Sequence, residues 1–199
     1  FQIEQIQASE TEAQATLNYQ YEGTDPGYPF PFQMQIIWTL SDKQCLSVTT
    51  SIFHQNQMAI PYADGWHPYF TLGGNVNEYQ LQFDADTQLE FDETLIPTGK
   101  TVSDTRFLTP HLMEDCFLDN SFVLQPNGSC ILSYNGLVLK VSPDASYPIL
   151  QVYTPPHRNS IAIENLSGAP DNFNNKIHLL NVEPNQWYAF TTSYQLSSL

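Results

Sequence analysis

Phe32-Gln33-Met34-Gln35-Ile36-Ile37-Trp38-Thr39-Leu40 sets a large apolar side chain at every second position. That period of two marks a β-strand with one buried face, whereas a helix would repeat near 3.6. The pattern spreads in both directions. Ahead of it, Ala13, Ala15, Leu17, Tyr19 and Tyr21 alternate with Gln14, Thr16, Asn18 and Gln20, and Thr24-Asp25-Pro26-Gly27 breaks the run. Behind it, Leu46, Val48, Thr50 and Ile52 follow a turn at Ser41-Asp42-Lys43. Phe1-Gln2-Ile3-Glu4-Gln5-Ile6 is strand-like from the outset, and further strands are expected at 79–84, 88–92, 121–125, 129–134, 137–142, 149–154, 160–165 and 186–196. Gln125-Pro126-Asn127-Gly128 and Asn135-Gly136 carry the chemistry of hairpin turns.

About a dozen short strands, 14 Pro and almost no helical periodicity predict an all-β fold, a large antiparallel sandwich or barrel. No linker, repeat or shift in composition divides residues 1–199, so one domain is expected. The stretches 65–74 and 97–115 fit no alternation and are expected to be loops, where sites tend to sit on a rigid sheet scaffold.

A chain of 199 residues is long enough to bury a sizeable core. Six Lys+Arg against 21 Asp+Glu give a net charge of −15, which repels phosphate backbones and anionic membranes and argues against nucleic-acid binding. No run approaches 18 apolar residues, so no membrane-spanning helix is expected. The 17 Gln and 14 Asn together exceed the charged side chains, a supply of neutral hydrogen-bonding groups suited to polar, uncharged ligands. Cys45, Cys116 and Cys130 are scattered and without CxxC spacing. They read as reduced, buried strand residues and point to the cytoplasm.

Phosphate-binding, nucleophile-elbow and zinc-protease motifs are absent, and the five histidines are too dispersed in sequence to suggest a metal site. What remains is acid–base chemistry by His and carboxylates. His67, in Gly65-Trp66-His67-Pro68-Tyr69-Phe70, is held extended by the following Pro, and Trp66 and Tyr69 offer flat faces on which a sugar ring can pack. A packed loop histidine fits the same residues. Glu164 shares one strand face with Ala162 while Ile161 and Ile163 take the other, so its carboxylate is either solvated at a rim or held in a pocket where its pKa can be tuned. Gln151, on the preceding strand, can reach the same pocket. Glu114 and Asp115 are adjacent carboxylates of which one at most faces a given cleft, and Asp171 reads as a turn residue.

Several of these segments together resemble the aldose 1-epimerase (galactose mutarotase) family. They are Tyr28-Pro29-Phe30-Pro31-Phe32, Gly65-Trp66-His67-Pro68-Tyr69-Phe70, Ile96-Pro97-Thr98-Gly99, Asp115-Cys116-Phe117, Gln151-Val152-Tyr153-Thr154, and Ile163-Glu164 followed by Gly168-Ala169-Pro170-Asp171-Asn172-Phe173-Asn174. Their order over 20–175 resembles the C-terminal two thirds of the family pattern.

The resemblance implies a galactose-mutarotase-like supersandwich that interconverts the α and β anomers of a free glucose- or galactose-type hexose without metal or cofactor. His67 then acts as general acid and Glu164 as general base. Gln151 contacts sugar, as does one of Glu114 and Asp115, since the family places Asp three residues before a Phe. The family's earliest strands, with an Arg and a second His, have no counterpart, so a further N-terminal segment completing fold and site is expected, with an open core face in its absence. Two alternatives remain. A hexose-6-phosphate 1-epimerase would want a basic cluster, whereas the six Lys and Arg are dispersed. A non-catalytic carbohydrate-binding module would not need His67 and Glu164 to face each other.

Overall fold

The computed structural model describes residues 1–198 as two large antiparallel sheets packed face to face. The first has nine strands, in spatial order Gln2–Ala8, Glu12–Tyr21, Phe32–Ser41, Cys45–Phe53, Trp187–Ser198, Leu137–Pro143, Cys130–Tyr134, Gln80–Phe83 and His111–Leu112. The second runs Pro97–Ser103, Thr87–Phe91, Asp119–Val123, Ile149–Tyr153, Ile161–Leu166 and Gly65–Trp66, with Tyr69–Phe70 also pairing on Ile161–Leu166. Leu180–Val182 and Ile60–Tyr62 form a small third sheet. The fold is therefore the expected all-β sandwich.

Inward-facing residues of both sheets make the main core. Val48, Leu81, Phe83, Leu132 and Val141 come from the first, and Phe122, Leu150, Val152, Ile161 and Ile163 from the second. Phe122 is fully buried, with its ring 4.6 Å from that of Phe83. Burial of such a side chain stabilises the fold by about 1.5–3 kcal/mol. The free edge of the first sheet is different. Ile3 and Ile6 stand in register with Leu17 and Ala15, whose next partners Ile36 and Trp38 pack on the core, yet they are 66 and 70% exposed.

Several expectations are corrected. Neither 65–74 nor 97–115 is only loop. Gly65–Trp66 and Tyr69–Phe70 are strands of two residues, too short to display a period, and the edge strand Pro97–Ser103 is exposed on both faces after Pro97, so nothing selects alternation there. Asn135-Gly136 makes the expected hairpin, both residues at positive φ, with Tyr134 opposite Leu137. Pro126-Asn127 makes a turn closed by Gly128 N–H donating to the Gln125 carbonyl at 2.8 Å, but the flanking strands lie in different sheets, so it is a crossing and not a hairpin. Cys116 is buried in the loop after the Glu114-Asp115 turn and not in a strand, because Arg106 and the 113–118 loop cover it. No helix among the described residues is long and apolar enough to cross a membrane.

Candidate active site

Three neighbouring strands of the second sheet align one side chain each in a row across its outer face. Ser121 is opposite Gln151, and Gln151 is opposite Glu164. Parity explains why they share that face: Phe122, Leu150, Val152 and Ile163, each offset by one residue, point into the core. The strand Gly65–Trp66 adds to the same edge by pairing Trp66 with Asn165, and this brings the next residue, His67, beside the row. His67 Nε2 lies 3.0 Å from Glu164 Oε1. The two residues are 97 positions apart in sequence and meet over one cavity of about 320 Å³, which Gln151, Asp119, Tyr69 and Tyr153 also line.

The two groups differ in exposure. The His67 side chain is 53% exposed and open to the cavity, whereas that of Glu164 is 8% exposed. Burial pushes the Glu164 carboxyl up to about 7; the neighbouring imidazole of His67 pulls down against this and the Asp119 carboxylate adds to it. A carboxyl poised near neutrality can hold or release a proton at working pH, the requirement for a general base. When Glu164 is ionised its carboxylate can only accept, so His67 Nε2–H is then the donor across the 3.0 Å contact.

Other expected site residues fall differently. Tyr69 lines the cavity, 52% exposed, with its ring 5.0 Å from that of His67. Trp66 does not. Strand alternation sends it to the opposite side from His67, where it packs into the core with its ring 5.0 Å from that of Trp38. Glu114 and Asp115 sit in an exposed turn outside the cavity lining. The carboxylate that does line it is Asp119, which no reading of the sequence had singled out. Asp119 stands three residues before the buried Phe122, the same spacing as Glu114 before Phe117, and that is the signal the sequence offered. Asp171 opens the short helix Asn172–Asn175 at φ 59°. No Lys or Arg is among the described residues lining the cavity.

A model of the family described as Aldose 1-epimerase matches residues 1–195. The chain belongs to the aldose 1-epimerase family. Among its relatives, the uncharacterized protein YihR of Escherichia coli (strain K12) is 28% identical over 190 residues, covering 92% of this chain and 60% of that protein. A galactose mutarotase of Homo sapiens is 31% identical over 146 residues, covering 65% of this chain and 40% of that protein. This epimerase-family chain therefore spans less than two thirds of either relative's length.

A galactose mutarotase-like protein from Clostridium acetobutylicum superposes with a TM-score of 0.87 at 15% identity, covering all of this chain and 66% of that one. A galactose 1-epimerase from Lactobacillus acidophilus NCFM superposes with a TM-score of 0.82 at 20% identity, covering 98 and 65%. At these identities the likeness is one of fold. The family match starts at residue 1, ahead of the motifs read over 20–175.

Proposed function

We propose that the protein containing this chain is an aldose 1-epimerase, acting on a free hexose at the His67–Glu164 cavity. The observation that carries the reading is the approach of His67 Nε2 to within 3.0 Å of Glu164 Oε1 at a cavity of about 320 Å³. In the reaction, a sugar binds in the cavity against both groups and takes the place of their direct contact. The Glu164 carboxylate takes the proton of the anomeric hydroxyl as protonated His67 gives one to the ring oxygen, and the C1–O5 bond breaks to leave the open-chain aldehyde. After rotation about C1–C2, the O5 hydroxyl attacks the other face of the carbonyl and returns its proton to His67, while Glu164 gives its proton back to O1. Each placed proton transfer accelerates the reaction by about 10²–10⁴-fold, and holding the open chain in place adds an orientation gain.

The absence of Lys and Arg among the described lining residues supports a free sugar over its phosphate ester. Polarimetry on freshly dissolved α-D-glucose and α-D-galactose tests the reading, using the full-length protein in which the chain occurs. Faster decay of rotation than in buffer is expected, with Glu164→Gln and His67→Asn each cutting the gain at least about a hundredfold. Saturable sugar binding with no faster anomer exchange in the parent protein would overturn it.

A further inference from the structure

Gln151 is wired on both ends of its carboxamide before any ligand arrives. Its Oε1 accepts a hydrogen bond from Ser121 Oγ at 2.5 Å, and its Nε2 donates to Asp119 Oδ1 at 2.9 Å. Ser121 is completely buried and does not line the cavity, whereas Gln151, 8% exposed, does. A carboxamide can present either its oxygen or its NH₂ to a ligand, and the two settings select opposite partners. Here the Asp119 carboxylate, which only accepts, selects the NH₂ end, and the Ser121 hydroxyl donates to the oxygen end and holds it away from the cavity.

We infer that Ser121 is a positioning residue: its buried hydroxyl locks the Gln151 carboxamide as a hydrogen-bond donor toward the cavity, beside the Asp119 acceptor. The inference rests on the proposed sugar site and extends it. Among the described residues, the second N–H of Gln151 and the second oxygen of Asp119 have no protein partner, a donor next to an acceptor. That doublet is the complement of a single hydroxyl group, which accepts from Gln151 and donates to Asp119. The subsite therefore reads one particular hydroxyl of the aldose and discriminates against an analogue in which hydrogen replaces it, since the deoxy analogue leaves both protein groups without a partner. The Asp119 carboxylate beside Gln151 repels an anionic substituent and leaves the pair suited to a neutral hydroxyl.

The test uses full-length protein with Ser121→Ala, Ser121→Cys, which keeps the volume but weakens the donor, and Ser121→Thr, which keeps the hydroxyl. Anomer exchange is followed for an aldose and its series of monodeoxy analogues. The Ala and Cys variants are expected to raise KM about tenfold more than they lower kcat. They should also shrink, by about the same factor, the preference for the parent sugar over the analogue rejected most strongly, and Thr should restore both.

The side-chain amide signals of Gln151 in ¹⁵N NMR, assigned by their loss in Gln151→Ala, give a second measure that does not require turnover. Their hydrogen exchange should be slow in the parent and the Thr variant and at least about fivefold faster in Ala and Cys. Equal exchange and unchanged discrimination in folded Ala or Cys variants would overturn the inference. If the parent protein exchanges no anomers, the proposed function fails, and the amide exchange alone decides for or against the lock.

Discussion

Glu164 is in conflict with its surroundings, and the conflict is measurable as stability. An unfolded chain releases this proton near 4.5, while burial holds it in the folded protein up to about 7. Between those values the folded state binds more protons than the unfolded state, so stability falls as pH rises through the window and stays reduced above it. Glu164→Gln removes the charge but keeps the shape. It is expected to raise unfolding stability by on the order of 1–2 kcal/mol at pH 8 and to change it little at pH 4, as read from denaturant midpoints at the two pH values. A gain of equal size at both would refute burial of the charge as the cause. The proposed base should also become active with rising pH as its carboxyl ionises near 7. The group that would serve catalysis is thus one that weakens the fold.

At the scale of elements, the strand carrying Asp119 and Ser121 is led in by the 113–118 loop, which buries Met113, Cys116 and Leu118 in the core and is pinned by a polar anchor. Arg158, 5% exposed and at φ 56°, supplies the anchor. Its Nε donates to Asn77 Oδ1 at 2.7 Å, and Nη1 and Nη2 donate to the carbonyls of Cys116 and Met113 at 2.9 and 2.5 Å. The guanidinium also lies 4.6 Å from the centre of the Phe117 ring. One planar fork therefore fixes the 3₁₀ turn Val76–Glu78 and the 113–118 loop together. Arg158→Ala leaves those acceptors without their donor and is expected to cost about 2–4 kcal/mol, seen as a lower denaturant midpoint with an unchanged slope. Arg158→Lys, which cannot reproduce the fork, should recover less than half of that.

For the molecule as a whole, order in sequence and order in space diverge sharply. The C-terminal strand Trp187–Ser198 lies inside the nine-stranded sheet, paired on one side with Cys45–Phe53 and on the other with Leu137–Pro143. The sheet cannot close until the end of the chain is available. Deleting 187–199 is expected to abolish cooperative unfolding, with loss of the near-ultraviolet circular dichroism of the packed aromatic core, because two strands lose a ladder partner and Phe190 and Tyr194 leave the core. A truncated chain that still melts cooperatively would contradict this account.

Alternation along Phe32–Ser41 and its neighbours was enough to establish strands, sheet chemistry and the inward face, because a period of two is a local consequence of the pleat. The same parity put Glu164 opposite Ile161 and Ile163 in the sequence reading, and it holds in the folded chain. The two-residue strands beside His67 carried no period to read. Trp66 looked like a sugar platform because a sequence shows that a side chain is flat and apolar, not which side of a strand it will occupy. Asp119 passed unnoticed, and Glu114 and Asp115 drew attention in its place, because which carboxylate borders a cavity depends on the pairing of Asp119–Val123 with Ile149–Tyr153. Local periodicity thus determined the class of fold. The meeting of His67 with Glu164, and the wiring of Ser121, Gln151 and Asp119, were decided only by tertiary structure, since cross-strand register joins residues that no local pattern relates.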